Sequence, residues 1–191
     1  RVFVILEVRS DDFCIVSSVS SASSVSQLFS MRTIRHYVDL RAREQPDAPF
    51  VIAPETGLTL TYAQLKRDSE ELGRHLAAQG LAKGDKVALL LHNGYQAARL
   101  LIGVMYAGYT VTPLNLLAQP AQLGYVLEHS DAKLVFTSAG LVPQLSAALE
   151  KIINKIKYLV IDADADSILK GTRPAAAALH AVGEDHNAML M

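Results

Sequence analysis

The sequence predicts an α/β fold: a parallel sheet of βαβ units with helices on both faces, preceded by a short helix and a β-hairpin. Three observations carry that prediction. Four strand-like runs, 86–92, 109–115, 132–138 and 157–162, recur at similar spacing. Segments with helical periodicity, 95–108, 119–130 and 141–153, lie between them. The first run, KVALLLH, is almost continuously apolar, as a strand buried on both faces is. Strand and helix alternating in this way argue for right-handed crossovers and a parallel sheet.

The elements follow in order from Met31. Ile34, Tyr37, Val38 and Arg41 fall on one face of a short helix, and Pro46 and Pro49 mark its end. FVIAPETGLTLTY reads as two short strands around the turn Pro54-Glu55-Thr56-Gly57. Thr61 with Gln64 forms a capping box, which starts a helix carrying Leu65, Leu72 and Leu76 and closing at Gly80. In the helix over 95–108, Ala98, Leu101, Ile102 and Met105 are expected to face inward. Pro120 suits the first turn of the next helix. A further helix is expected over Ala175–Val182 in an Ala-, Asp- and His-rich stretch.

Composition bounds the function. The chain has 191 residues, half of them hydrophobic, which suits one domain or one domain plus an appendage. Its 18 basic and 19 acidic residues give a net charge of −1, so no global charge argument for nucleic acid or an anionic membrane arises. Cys14 is the one cysteine, which excludes an intrachain disulfide and fits a cytoplasmic location. No apolar run is long enough to span a bilayer; the longest, Ala97 to Ala107, is broken by Arg99.

Residues 1–30 differ from the rest. RVFVILEV is followed by RSDD and then by a stretch of 14 residues of which 8 are serine. Glu7, Arg9, Asp11 and Asp12 break any signal-peptide pattern. Residues 1–30 are therefore expected to be a non-native or mis-started leader, with 31–191 the folded portion. The rival expectation is a native strand over Arg1–Val8 with a flexible serine linker.

Local motifs for chemistry are sparse. Asp162, Asp164 and Asp166 open like a calcium loop, but Ser167, Lys170 and Arg173 occupy the positions that need Gly, a water-binding group and an acid. His180, Glu184, Asp185 and His186 have no recognised metal-ligand spacing. His36, His75 and His129 are scattered. His92 differs, because it ends a strand just before Asn93 and a helix start, where α/β sheets place ligands. Asn93 itself is expected to cap that helix through its side-chain oxygen. The first strand–helix turn holds one glycine, which excludes a dinucleotide fingerprint. No phosphate loop and no GxSxG elbow occur.

The order of motifs says more than any one of them. Thr61-Tyr62 starts the first long helix, Gly84-Asp85 precedes the first core strand, and Asn93 follows it. Ala107-Gly108 ends the next helix, Pro113-Leu114-Asn115 ends the second strand, and Ser130 with Ala132 precedes the third. In this order the chain from about residue 33 to 191 resembles the N-terminal part of the adenylate-forming superfamily: acyl-CoA and aryl-CoA synthetases, luciferases and peptide-synthetase adenylation domains. The spacing is most similar to fatty-acyl- or aryl-CoA ligases. His92 stands where many relatives have Pro, and Leu116 follows Asn115 where Pro is frequent.

The resemblance implies a two-step reaction in the parent enzyme. A carboxylate attacks the α-phosphate of Mg-ATP to give an acyl-adenylate and pyrophosphate, and CoA then takes the acyl group. ATP, Mg and CoA are implied for the parent, with none bound by this piece alone. Glu184, Asp185 and Ala188–Met191 match the approach to the family's phosphate-binding loop, so the 191-residue chain is expected to be an inactive scaffold, incomplete as a domain. His92, Asn93 and Asn115 are the candidate substrate- or CoA-proximal residues. Uncovered faces are expected to drive homo-oligomerisation. The alternatives are a non-catalytic α/β binding module and an adenylation domain that loads a carrier protein.

Overall fold

In a computed structural model, which describes residues 3–4, 33–153, 155–162, 165, 167 and 177–191, Thr33 opens helix α1 (Ile34–Glu44) by accepting the amide of His36 at 3.2 Å. The serine-rich stretch, Cys14, Met31, Asp164, Asp166, Lys170 and Arg173 lie outside the described residues. Val38 is buried and Ile34 half-buried, but Tyr37 is 52% exposed. The apolar inward stripe of α1 is thus narrower than its periodicity suggests, and polar contacts complete it: Arg35 Nε donates to the Tyr106 carbonyl and Asp39 accepts from the Tyr106 hydroxyl, each at 2.8 Å.

The hairpin expected around Pro54–Gly57 joins β2 (Pro49–Ala53) to β3 (Leu58–Thr61). Gly57 adopts φ +72° and donates its amide to the Ala53 carbonyl at 2.9 Å, a backbone turn that suits glycine. A two-residue strand, β1 (Phe3–Val4), pairs antiparallel with the other edge of β2, Phe3 opposite Ile52. Helix α2 (Tyr62–Ala78) begins with the expected capping box: Thr61 Oγ1 accepts from the Gln64 amide at 3.3 Å, and Gln64 Oε1 accepts from the Thr61 amide at 2.9 Å. It ends at Gly80, φ +89°, where the Leu81 amide reaches back to the Leu76 carbonyl and the Gly80 amide to that of Ala77. That pair of bonds is a Schellman cap, and it needs the left-handed conformation glycine supplies.

The chain then alternates: β4 (Lys86–Leu90), α3 (Tyr95–Tyr106), β5 (Thr110–Pro113), α4 (Pro120–His129), β6 (Ala132–Ser138), a short turn Ala139–Leu141, α5 (Val142–Leu149) and β7 (Lys157–Ile161). The four strands form one parallel sheet in the order β5-β4-β6-β7. Side chains alternate along β4 and fix the layers. Val87 and Leu89 join the core under α2 and α3, with Leu72, Leu76, Leu100 and Val104. Ala88 and Leu90 join the opposite core, with Leu123, Leu127 and Leu145 of α4 and α5. A strand apolar from Val87 to Leu90 therefore sits between two helical layers, as its composition requires.

One expectation is met only in part and another fails. In α3 Met105 is buried as expected and Ala98, Leu101 and Ile102 pack half-buried against the core, but the deepest positions are Leu100, Val104, Gln96 and Tyr106. The helix is packed on one side by α2 and on another by the sheet, so it has no single apolar stripe. The helix expected over Ala175–Val182 is absent across its described part, 177–182. That segment is a strap over the helical layer. Leu179 fills the space left by Gly73 beside Ala107, and Arg35 Nη1 donates to the His180 carbonyl at 2.8 Å. These contacts override the helix propensity of the alanine run.

Candidate functional site

The site begins from the connections between strands. The chain leaves β4 for α3 and moves to one side of the sheet; it leaves β6 for α5 and moves to the other. The carboxyl ends of β4 and β6 therefore flank a topological switch point, the position where open α/β sheets hold ligands. His92 and Asn93 follow β4 at this crevice, and Ser138 ends β6 beside them. Asn115 follows β5 on the same edge.

His92 and Asn93 are both exposed, and their side chains make no hydrogen bond among the described residues. The expected cap through Asn93 is not made. Gly94 takes the N-cap position of α3, with no side-chain hydrogen bond to the helix amides. The extra residue between Asn93 and the first turn puts its oxygen outside capping geometry. Asn115 has a local role: its Oδ1 accepts from the Leu117 amide at 2.9 Å, and its carbonyl accepts from the Ala118 amide at 3.1 Å. It shapes the turn that leads to α4.

One residue at this edge was not among the sequence candidates. Gln96, in the first turn of α3, is 1% exposed. Its Nε2 donates to the Ala165 carbonyl, just past β7, while its Oε1 is buried with no partner among the described residues. Gln96 thus ties the connection after β7 to the start of α3, across the switch point. A glutamine in the first turn of a mostly apolar helix is the signal that could have identified it.

The strap reaches the same sheet from the opposite edge. Thr110 Oγ1 donates to the Asn187 carbonyl at 2.7 Å, the Val111 amide donates to Ala188 at 2.9 Å, and the Leu190 amide donates back to Val111 at 2.9 Å. Met189 is paired in parallel with Val111, so the approach segment Ala188–Met191 lies beside β5. Met189 and Leu190 are 37% and 42% exposed rather than buried, because their outer side has no neighbouring strand among the described residues. A parallel strand here directs its carboxyl end toward the edge that carries His92 and Asn115.

Two clefts lie at the amino edge, away from the switch point. One of about 240 Å³ is lined by Ile34, Met105, Tyr109, Val182 and Glu184. The other, of about 420 Å³, is lined by Lys83, Lys86, Thr110 and Asn187. Burial, reinforced by the charge of Asp85, pushes the Tyr109 hydroxyl up to about 12, so it stays protonated. His180 packs its ring edge-on against Tyr109 at 5.4 Å, with Nε2 3.3 Å from the Leu81 carbonyl, which accounts for its place in the strap. Among the described residues no three His, Cys, Asp or Glu side chains come together as metal ligands. No helix among them is long and apolar enough to cross a membrane.

Comparison with known proteins agrees with this architecture. The family model described as AMP-binding enzyme matches residues 38–191. The chain is 42% identical over 161 residues to a sulfoacetate–CoA ligase of Cupriavidus necator, covering 83% of this chain and 32% of that protein. It is 29% identical over 163 residues to a long-chain-fatty-acid–CoA ligase of Mycobacterium tuberculosis, covering 84% and 32%. The crystal structure of the N-terminal domain of FACL13 from Mycobacterium tuberculosis superimposes with a TM-score of 0.70 at 28% identity, covering 84% of this chain and 41% of that one. The chain spans about a third of the length of the curated relatives it matches. With the motif order, the parallel sheet and the family match in agreement, the chain belongs to the AMP-binding enzyme family and corresponds to the N-terminal part of its adenylate-forming acyl-CoA ligases.

Proposed function

We propose that this chain is the N-terminal scaffold of an ATP-dependent acyl-CoA ligase. The parent reaction joins a carboxylic acid to CoA through an acyl-adenylate, releasing pyrophosphate and then AMP. The observation that carries this reading is the 42% identity to a CoA ligase over 161 residues, within a family match that covers most of the chain. ATP, magnesium and CoA are the reactants and ion proposed for the parent.

The scaffold's contribution is positional. It offers a rigid sheet edge with His92, Asn93 and Asn115 at or beside the switch point, as part of the wall around the acid and CoA. Phosphoryl chemistry needs cations and clustered donors around the transferring phosphate. The described turns that follow β4, β5 and β6 at this edge, 91–94, 114–119 and 139–141, hold no lysine or arginine. This supports the reading that the 191-residue chain by itself forms no adenylate.

The test is ATP–pyrophosphate exchange with a panel of short, long-chain and aromatic acids, on this chain and on the longer protein that contains it. The expected result is exchange by the longer protein alone, followed by an acyl-CoA product when CoA is supplied. Turnover by this chain would refute its scaffold role. Acyl transfer to a carrier protein but not to CoA would reassign the acceptor.

A further inference from the structure

The segment between α5 and β7 combines charge and exposed apolar surface in a way the core does not require. Ile152 and Ile156 are half-buried and pack against the core under α4 and α5. Their burial turns Ile153 and Lys155 outward. Ile153 is 92% exposed, and Lys151, Lys155 and Lys157, all within four residues of it in sequence, are exposed as well. From 150 to 158 the chain carries three lysines against one acid, Glu150, although the whole chain is slightly acidic. None of the three lysines enters an ion pair among the described residues. The corner continues into β7, among the described residues an edge strand bonded on one side to β6, with Tyr158 and Val160 41% and 51% exposed.

Lysines on an edge strand also guard it against pairing with another sheet. A guard has no use for a bare isoleucine at its centre. An apolar tip ringed by long cationic side chains is instead the arrangement that enters a lipid headgroup layer, where the tip is buried and the lysines reach the phosphates. We propose that the α5–β7 corner, with Ile153 at its tip and Lys151, Lys155 and Lys157 around it, is a docking surface for an anionic lipid bilayer. A second copy of the chain is the poorer occupant, because a two-fold pairing would set these lysines against their own counterparts.

The affinity expected is modest. Each lysine near an anionic leaflet contributes about a fivefold gain in partitioning, screened by salt. The test is co-sedimentation of the chain with vesicles of phosphatidylcholine alone and with about one third phosphatidylglycerol, at low and raised salt. Binding to the anionic vesicles is expected, falling with salt and falling about fivefold in Lys155→Gln. Ile153→Ser, at unchanged charge and with an unchanged far-ultraviolet spectrum, is expected to weaken binding further. No binding, equal binding to both vesicle types, or binding indifferent to Ile153→Ser would overturn the proposal. Sedimentation velocity closes the remaining route: a dimer that Ile153→Ser dissociates would give the surface to a second copy, and would equally overturn it.

Discussion

Arg99 of α3 and Asp68 of α2 form an ion pair within the helical layer, their side chains 6% and 10% exposed. Arg99 also lies over the Tyr95 ring, 5.7 Å from its centroid, so the guanidinium is held from two sides. Removing one member of such a pair leaves a buried charge with much of its compensation gone. Asp68→Ala is expected to cost about 3–5 kcal/mol, whereas Asp68→Leu combined with Arg99→Met should cost far less. Urea unfolding checks this. A double variant as unstable as Asp68→Ala would show that the pair's shape, not its charge, matters.

The strap makes a different kind of demand, for space. A Cβ on Gly73 would overlap the Leu179 side chain and lie 2.9 Å from the Ala107 Cβ. Leu179 can swing away, but Ala107 cannot. Gly73→Ala is therefore expected to lift the strap at an overpacking cost of about 1–3 kcal/mol. Gly108→Ala adds backbone strain, since its φ is +88° and its Cβ would meet Val182 at 3.1 Å. Thermolysin is the suitable probe, because 177–190 contains no lysine or arginine for trypsin. Cleavage near Leu179 should rise roughly tenfold or more in either variant at unchanged helix content.

The contrast between the sheet and the strap shows what was legible. The Thr61–Gln64 box, the hairpin turn at Gly57 and strands 86–90 and 132–138 are written in local chemistry: a hydroxyl three residues before an amide, a glycine where φ must be positive, apolar residues on both faces. The strap is not, because its conformation is decided by a glycine in α2 and an arginine in α1, more than a hundred residues away. The candidate site divides likewise. His92 and Asn93 could be placed at a strand end, but Asn93's missing cap and Gln96's link to Ala165 depend on where α3 starts and where the chain goes after β7.

Alkaline pH should loosen the junction of α1, α2 and α3. Tyr106 donates its hydroxyl to Asp39 at 2.8 Å, and Lys66 lies 3.0 Å from the same carboxylate. Burial and then Asp39 push Tyr106 up to about 12, against the pull of Lys66. Burial works against the Lys66 ammonium, but its bonds to Glu70, Asp39 and Tyr106 outweigh it and raise it above the lysine range. Both groups hold protons in the fold that the unfolded chain releases nearer pH 10. The unfolded state then binds fewer protons, so stability is full below about pH 10 and falls as pH rises toward 12. Urea midpoints from pH 8 to 11 should fall less steeply in Tyr106→Phe. An equal slope would locate the effect elsewhere.

Acid acts through His75 with the opposite sign. Burial holds it below the usual histidine range despite the charge of Glu71, and Gln79 Nε2 lies 3.0 Å from its Nε2. With the amide donating, that nitrogen must be unprotonated. The unfolded chain takes up the proton first, so this contribution is present above about pH 6.5 and is lost as pH falls through the lower folded value. His75→Gln should flatten the stability profile between about pH 5 and 7.

His92 and Asn115 separate a pocket wall from a turn. Asn115 holds the Leu117 amide, so Asn115→Ala should cost about 1 kcal/mol and lower Tm by about 2–4 °C. His92 is exposed and makes no hydrogen bond among the described residues, so His92→Ala should change stability by less than about 0.5 kcal/mol. Their effects on ligase activity in the longer protein should diverge accordingly. If the switch point bounds the acid or CoA site, His92→Ala changes kcat/KM across a substrate panel while Tm stays fixed. Asn115→Ala should lose activity only in step with its loss of folded protein, and recover it at lower temperature. Kinetics unchanged in His92→Ala for every acid and for CoA would leave this residue as the end of a strand and nothing more.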